Sequence, residues 1–301
     1  MIQVGIFTGY FPYSLKESAE IIRGHDFNTV QLDLTFKNMD LSTDQITQEK
    51  CNTIRDTFRR HNLPICCLSG YTNLVHPDPD KRKQNLAHLK KLIEMANECG
   101  TPYVISETGT FDPDSDWVHH PKNKTKEGYA DCVAVIKDLV DHAEKHGVTF
   151  LVETYVNNVI GSIEETERLF ADVNHKNLGL LMDPTNYFET HNIDNMDKVL
   201  NDIFDKLSDK IVISHAKDVK LAEADQGVQM ADMDASEAHA LRGVGAIELP
   251  AAGLGALNYD LYVERLGKDF PNIPIIIEHL EEDDVPRAKS FVDETLLKMG
   301  V

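Results

Sequence analysis

Eight short apolar runs, each giving way to a polar or glycine residue, recur along the 301-residue chain and are separated by longer segments with helical spacing. They predict strands over Gln3–Thr8, Thr29–Leu34, Pro64–Ser69, Pro102–Glu107, Val148–Glu153, Leu178–Asp183, Lys210–His215 and Pro274–Glu278. Between them lie amphipathic helices. Leu89, Leu92, Ile93 and Ala96 share one face of Leu86–Cys99, and Val133, Ile136, Val140 and Ala143 share one face of Ala130–His146. Strands that alternate with helices pair in parallel through crossover connections, and eight such units can close into a (β/α)8 TIM barrel. The expected domain is one barrel over residues 1–301, since no linker-like or low-complexity stretch divides the chain.

The longest interruption runs from Val219 to about Asn258, is rich in Ala, Asp and Gly, and shows little apolar periodicity. Its length suits a lid over the barrel mouth. Arg242-Gly243-Val244-Gly245 and Gly253-Leu254-Gly255 either bring backbone amides close to a ligand or form ordinary flexible turns. Charge narrows the partner: 50 acidic against 30 basic residues give a net charge of −20, which repels a phosphate backbone and argues against nucleic acid. The five cysteines include no Cys-x-x-Cys pair and read as reduced cytoplasmic thiols. The Met1-Ile2-Gln3-Val4 start lacks the basic opening of a signal peptide, and no apolar run reaches membrane-spanning length, so a cytoplasmic protein without membrane contact is expected.

In a barrel the chemistry sits at the C-terminal strand ends. Four consecutive strands, the fifth to the eighth, end on metal-ligand residue types: Glu153, Asp183, His215 and Glu278. Neighbouring strand ends converge on one mouth, which brings three carboxylates and an imidazole within reach of a single cation. Two residues earlier, Leu151, Leu181, Ile213 and Ile276 share the inward face and are expected to form a dry floor. A lone strand-end acid is more often a helix cap, and a lone histidine a structural one. Four costly polar groups at one buried mouth instead call for a compensating cation. Three oxygens and one nitrogen favour Mn2+ or Mg2+, with Co2+ or Zn2+ as substitutes.

Leu151-Val152-Glu153-Thr154, Met182-Asp183-Pro184-Thr185-Asn186, Ser214-His215-Ala216-Lys217-Asp218, Ile277-Glu278-His279 and Arg242-Gly243-Val244-Gly245 resemble the xylose isomerase-like TIM-barrel superfamily, in particular its sugar phosphate isomerase/epimerase family. The resemblance implies that Glu153, Asp183, His215 and Glu278 bind a divalent metal, that Glu153 and Glu278 move protons on the substrate, and that Arg242 holds substrate oxygens. Homo-oligomers are common in that family. Two positions depart from the ketose 3-epimerase pattern. Asn186 stands where a histidine is usual, and Asn157 and Asn158 stand where a second carboxylate would follow the first glutamate.

Further substrate contacts are expected from Asn186, from Lys217 and from His120, which lies in a loop with the chain's only tryptophan, Trp117. That loop is either a sugar-stacking wall with a polar rim or an exposed polar loop. Gln31 and Asp33, at the second strand end, are additional candidates, and Asp218 either orients His215 or begins a turn. The acidic run Glu281-Glu282-Asp283-Asp284 reads as a helix start. No dinucleotide fingerprint or Walker A loop is present. The expected activity is metal-dependent isomerisation or epimerisation of a ketose or keto-sugar derivative through an enediolate. The rivals are a lyase resembling inosose dehydratase or cleaving 3-keto-glycosides, a phosphodiester endonuclease of the related apurinic-site type, and a non-enzymatic sugar-binding barrel. The endonuclease class usually carries more metal ligands and a basic surface, unlike this acidic chain.

Overall fold

A computed structural model describes residues 2–222 and 247–301. Among them, eight parallel strands close into a barrel: β1 (Gln3–Phe7), β2 (Thr29–Leu32), β3 (Ile65–Ser69), β4 (Tyr103–Glu107), β5 (Thr149–Glu153), β6 (Leu178–Met182), β7 (Ile211–Ala216) and β10 (Pro274–Ile277). The seam is the pairing of β10 with β1, where Val4 lies opposite Ile275. Two short strands, β8 (Lys220–Leu221) and β9 (Ile247–Glu248), pair antiparallel at the base of the excursion. Each expected strand is present, and only ends move. Asp33 falls beyond β2, Asp183 one residue beyond β6 and Glu278 one beyond β10. At Asp183 the cause is local, since Pro184 has no N–H to continue a ladder and opens a 3-10 turn over Pro184–Tyr187.

Helices α1 (Leu15–Gly24), α2 (Gln48–Arg60), α3 (Pro79–Cys99), α4 (Lys126–Lys145), α5 (Ile163–Val173), α6 (Met196–Leu207), α7 (Tyr259–Asp269) and α8 (Val285–Met299) ring the barrel. Their ends follow from side-chain chemistry. Ser14 and Glu17 form a reciprocal capping box at α1. Asp78 accepts from the Asp80 and Lys81 amides beside Pro79, at the first turn of α3. Helix α3 starts well before the expected Leu86, because the polar stretch from Pro79 carries cap signals but no apolar period. The acidic run forms a 3-10 turn over Glu282–Asp284 that leads into α8, and its Glu282 also accepts from Tyr13 Oη at 2.7 Å.

Two hydrophobic layers result. The larger lies between strands and helices; the smaller fills the barrel with Cys67, Ile105, Leu151, Leu181, Ile213 and Ile276, all at most 1% exposed. The four expected floor residues are therefore joined by one from β3 and one from β4. Gly179 makes room for this layer: a Cβ there would lie 2.6 Å from Leu151 Cδ2. Leu181→Ala should destabilise the fold by about 2–5 kcal/mol, read as a shifted denaturation midpoint with an unchanged slope, because a rigid barrel wall cannot close the void.

Candidate active site

One donor atom from each of Glu153, Asp183, His215 and Glu278 lies within 4.8 Å of the others, and all four side chains are buried. The imidazole is the hub. Its Nδ1 is 3.2 Å from Glu278 Oε2, 3.4 Å from Glu153 Oε1 and 3.5 Å from Asp183 Oδ2, yet it has no hydrogen-bond partner. Its Nε2 lies 2.9 Å from Gln31 Oε1. Gln31 Nε2 is turned toward Glu278 Oε1 at 3.4 Å and Tyr71 Oη at 3.2 Å, so the amide oxygen must face the ring. Neutral His215 then carries its proton on Nε2 and aims the Nδ1 lone pair at the carboxylates.

Each carboxylate is also oriented by a neighbour. Thr185 gives both its amide (2.9 Å) and its hydroxyl (2.7 Å) to Asp183 Oδ1, which leaves Oδ2 facing Lys217 Nζ at 2.8 Å. Asn186 Nδ2 donates to Glu153 Oε1 at 2.8 Å, and the Tyr71 hydroxyl donates to Glu153 Oε2 at 2.5 Å. Among the described residues, and with His215 neutral, the three carboxylates and the Lys217 ammonium sum to two negative charges, which match one divalent cation; without a cation, a proton on His215 offsets one of them. The unpartnered Nδ1, this charge and the N/O donor set together fit such an ion, held by Glu153, Asp183, His215 and Glu278.

The electrostatics follow from this crowding. Burial opposes the imidazolium, but Glu278 and Glu153 outweigh it and hold His215 well above its usual pKa in the absence of a cation. Burial likewise opposes ionisation of Asp183 and Glu278. For Asp183 the Lys217 charge, then His215, keeps the pKa low; for Glu278 it is His215, then Lys217. Lys217 is 3% exposed, and burial would lower its pKa, yet Asp183, Glu153 and Glu278 hold it raised. It is an ammonium, suited to pairing with oxygen and not to nucleophilic attack. Tyr71 is 38% exposed as a residue, but its hydroxyl is held between Glu153 and Gln31; burial at that end, and after it Glu153 and Glu278, push it above the usual phenol range, so it remains a donor.

Beside this cluster a pocket is lined by Glu107, Trp117, Tyr155, Asn186, Lys217 and Leu249, among others. Two of the expected substrate contacts, Asn186 and Lys217, face it. His120 does not line it; its Nδ1 accepts from the Lys122 amide at 3.2 Å and caps the 3-10 turn over Pro121–Lys124. From the same loop it is Trp117, 36% exposed, that reaches the pocket. The two asparagines after Glu153 are structural here. Asn158 Oδ1 accepts from the Gly109 amide at 2.6 Å, and Asn157 Nδ2 holds the Trp117 carbonyl at 3.1 Å.

Asp218 begins a turn and does more. It accepts from the amides of Val219 (2.8 Å), Leu257 (2.8 Å) and Gly253 (3.0 Å), which ties both ends of the excursion together. Arg242, Gly243, Val244 and Gly245 lie outside the described residues, as does most of the expected lid. Gln31 orients His215, and its place at a strand end was a signal, whereas Tyr71, in an irregular loop after β3, gave none.

A sequence model of the xylose isomerase-like TIM barrel family matches residues 19–295. The chain belongs to that family. No curated protein matches the chain significantly. Solved structures share its architecture at low identity. A xylose isomerase-like TIM barrel protein from Mycobacterium smegmatis in complex with magnesium is 16% identical (TM-score 0.69, covering 99% of this chain and 96% of that one). The probable 3-DHS dehydratase AsbF from Bacillus anthracis is 18% identical (TM-score 0.70, 97% and 98%). A D-allulose 3-epimerase from Methylomonas sp. is 15% identical (TM-score 0.67, 99% and 98%). At such identities the likeness is one of fold.

Gln31→Ala should weaken Mn2+ affinity about 10- to 100-fold, because the ring of His215 loses the acceptor that fixes its tautomer. Equilibrium dialysis measures this, with His215→Ala as the reference for loss of the ligand itself. A Gln31→Ala affinity equal to that of the unaltered protein would mean that the ring is held by its packing alone.

Proposed function

We propose that the protein is a divalent-metal-dependent isomerase or epimerase acting on a ketose or keto-sugar derivative by breaking a carbon–hydrogen bond beside the carbonyl. The carrying observation is the convergence of Glu153, Asp183, His215 and Glu278 around the unpartnered Nδ1 of His215. Mn2+ or Mg2+ suits these donors. When bound, such a cation polarises the substrate carbonyl and makes the neighbouring C–H more acidic.

Glu153 and Glu278 end the first and last of four consecutive barrel strands and so approach a substrate from different sides of the mouth. One carboxylate removes the proton and the other returns one to the opposite face, which inverts the centre. In the metal-free site His215 and then Lys217 hold the Glu278 pKa low despite burial; with a cation held through neutral His215, the cation and Lys217 would keep Glu278 a carboxylate able to accept a proton. Glu153 is fixed by Tyr71 and Asn186. Lys217, facing the pocket as a cation, offers hydrogen bonds to substrate oxygens, and Trp117 offers an apolar face to a sugar ring. Arg242 is assigned to substrate oxygens by its resemblance to the family's arginine.

A second reading is a lyase, favoured by one observation. At Asn186, where ketose 3-epimerases usually carry histidine, an amide is committed to Glu153 and cannot shuttle protons. After the same proton abstraction a β-substituent would then leave, and a dehydratase is among the similar folds.

Turnover of a panel of ketoses and keto-sugars in deuterated water separates these outcomes. Epimerisation should place deuterium at the carbon beside the carbonyl without other change in mass, and elimination should lose water or an aglycone. Glu278→Gln should lower kcat by about 100-fold or more while the metal remains bound. Product without deuterium from the unaltered enzyme would contradict proton transfer through solvent-exchanging carboxylates.

A further inference from the structure

Outside the mouth, α3 and α4 bring Glu94, His142 and His146 together, with one donor atom of each within 4.8 Å of the others. The spacing explains the pair. Positions four apart in α4 lie one turn above each other on the same face, and the two rings are 4.9 Å apart between centroids. Glu94 enters from α3 with Oε1 3.4 Å from His142 Nε2. Its other oxygen lies 3.9 Å from Lys91 Nζ, so the carboxylate turns one atom to a lysine and the other to His142. His142 Nε2 is buried, and no hydrogen bond satisfies it. Two imidazoles tilted 42° to each other beside a carboxylate, with His142 Nε2 3.4 Å from Glu94 Oε1 and not hydrogen-bonded to it, are poorly explained as packing, because a buried ring nitrogen normally finds a partner.

The scaffold around the three residues is rigid. Arg82 clasps Asp131 with two hydrogen bonds of 2.9 and 2.6 Å, Lys90 pairs with Asp138 at 2.5 Å, and Asn97 Nδ2 donates to the His146 carbonyl at 2.7 Å. Each of these contacts joins α3, or the α3–α4 interface, to α4 or its end. Preformed helices of this kind can hold ligands to a fixed geometry. His146 lies just before β5, whose far end carries Glu153, so the cluster sits at the opposite end of the barrel from the mouth.

We propose that Glu94, His142 and His146 form a second, peripheral metal site, selective for an imidazole-seeking ion such as Zn2+, which staples α3 to α4. Two nitrogens and one oxygen suit Zn2+, whereas the oxygen-rich mouth suits Mn2+ or Mg2+. The site is stabilising and independent of the reaction, because strand bottoms in this fold carry stability while the mouth carries chemistry.

Zinc binding to the full chain tests this, measured by equilibrium dialysis with elemental analysis and by thermal unfolding with and without Zn2+. To remove ambiguity from the mouth, the measurements are made in the His215→Ala protein as well as in the unaltered one. His215→Ala should still bind one zinc and unfold at a higher temperature when zinc is present. Adding His142→Ala and His146→Ala should abolish both effects. In the otherwise unaltered chain, His146→Gln alone should weaken the peripheral site about tenfold or more, with circular dichroism confirming the fold. Equal zinc content and equal zinc-dependent stabilisation with and without His142 and His146 would overturn the proposal.

Discussion

Three carboxylates and an imidazole meeting at a buried barrel mouth are the constraint around which the rest of the site is arranged. At about 4 Å, two like charges repel by about 4 kcal/mol at an effective dielectric of 20, so the group cannot persist without opposite charge. Lys217 supplies one compensating charge directly on Asp183. Gln31, Thr185, Asn186 and Tyr71 each fix one member of the group through its remaining lone pairs or proton. The remaining negative charge is offset in part by a proton on His215, which a divalent ion at Nδ1 would replace. The neighbours therefore both relieve repulsion and leave a defined demand.

The barrel makes such a group affordable in structure only because it is rigid beneath. The inner layer of Cys67, Ile105, Leu151, Leu181, Ile213 and Ile276 is buried throughout, and its last four members lie two residues before Glu153, Asp183, His215 and Glu278 respectively. Parallel pairing staggers the ends of β10 and β7 by two residues: Ile276 lies opposite His215, so that Glu278 stands one inward position further along than His215. Above the mouth, Asp218 gathers the two ends of the excursion on one carboxylate, and the Leu249 carbonyl, 2.9 Å from His279 Nδ1, brings the returning chain over the pocket. His279 holds a left-handed backbone (φ 59°) immediately after Glu278, which turns the chain out of the barrel there.

The four ligand candidates were legible because strands repeat with a period of two and end where apolar residues give way to polar ones. Leu151 and Glu153, or Ile276 and Glu278, share a face for that reason alone. The same logic reached Gln31 only in part, since it named Gln31 and Asp33 at one strand end without deciding which of them faces the mouth, and did not give the hydrogen bond to His215. Tyr71 and Trp117 were not separable from ordinary loop residues, because loop conformation carries no period. His120 looked equivalent to Trp117 in sequence, yet the proline after it sets a turn that consumes its Nδ1. Glu94 on the one hand, and His142 and His146 on the other, lie far apart in sequence and meet only through the packing of α3 on α4.

The central claim is that Glu153, Asp183, His215 and Glu278 hold one divalent cation, and anomalous diffraction from crystals grown with Mn2+ addresses it most directly. The account predicts an anomalous peak bonded to all four side chains, with His215 bound through Nδ1 and its Nε2 still on Gln31. A mouth without a manganese peak at neutral pH, or a peak bonded to neither His215 nor Glu278, would contradict it.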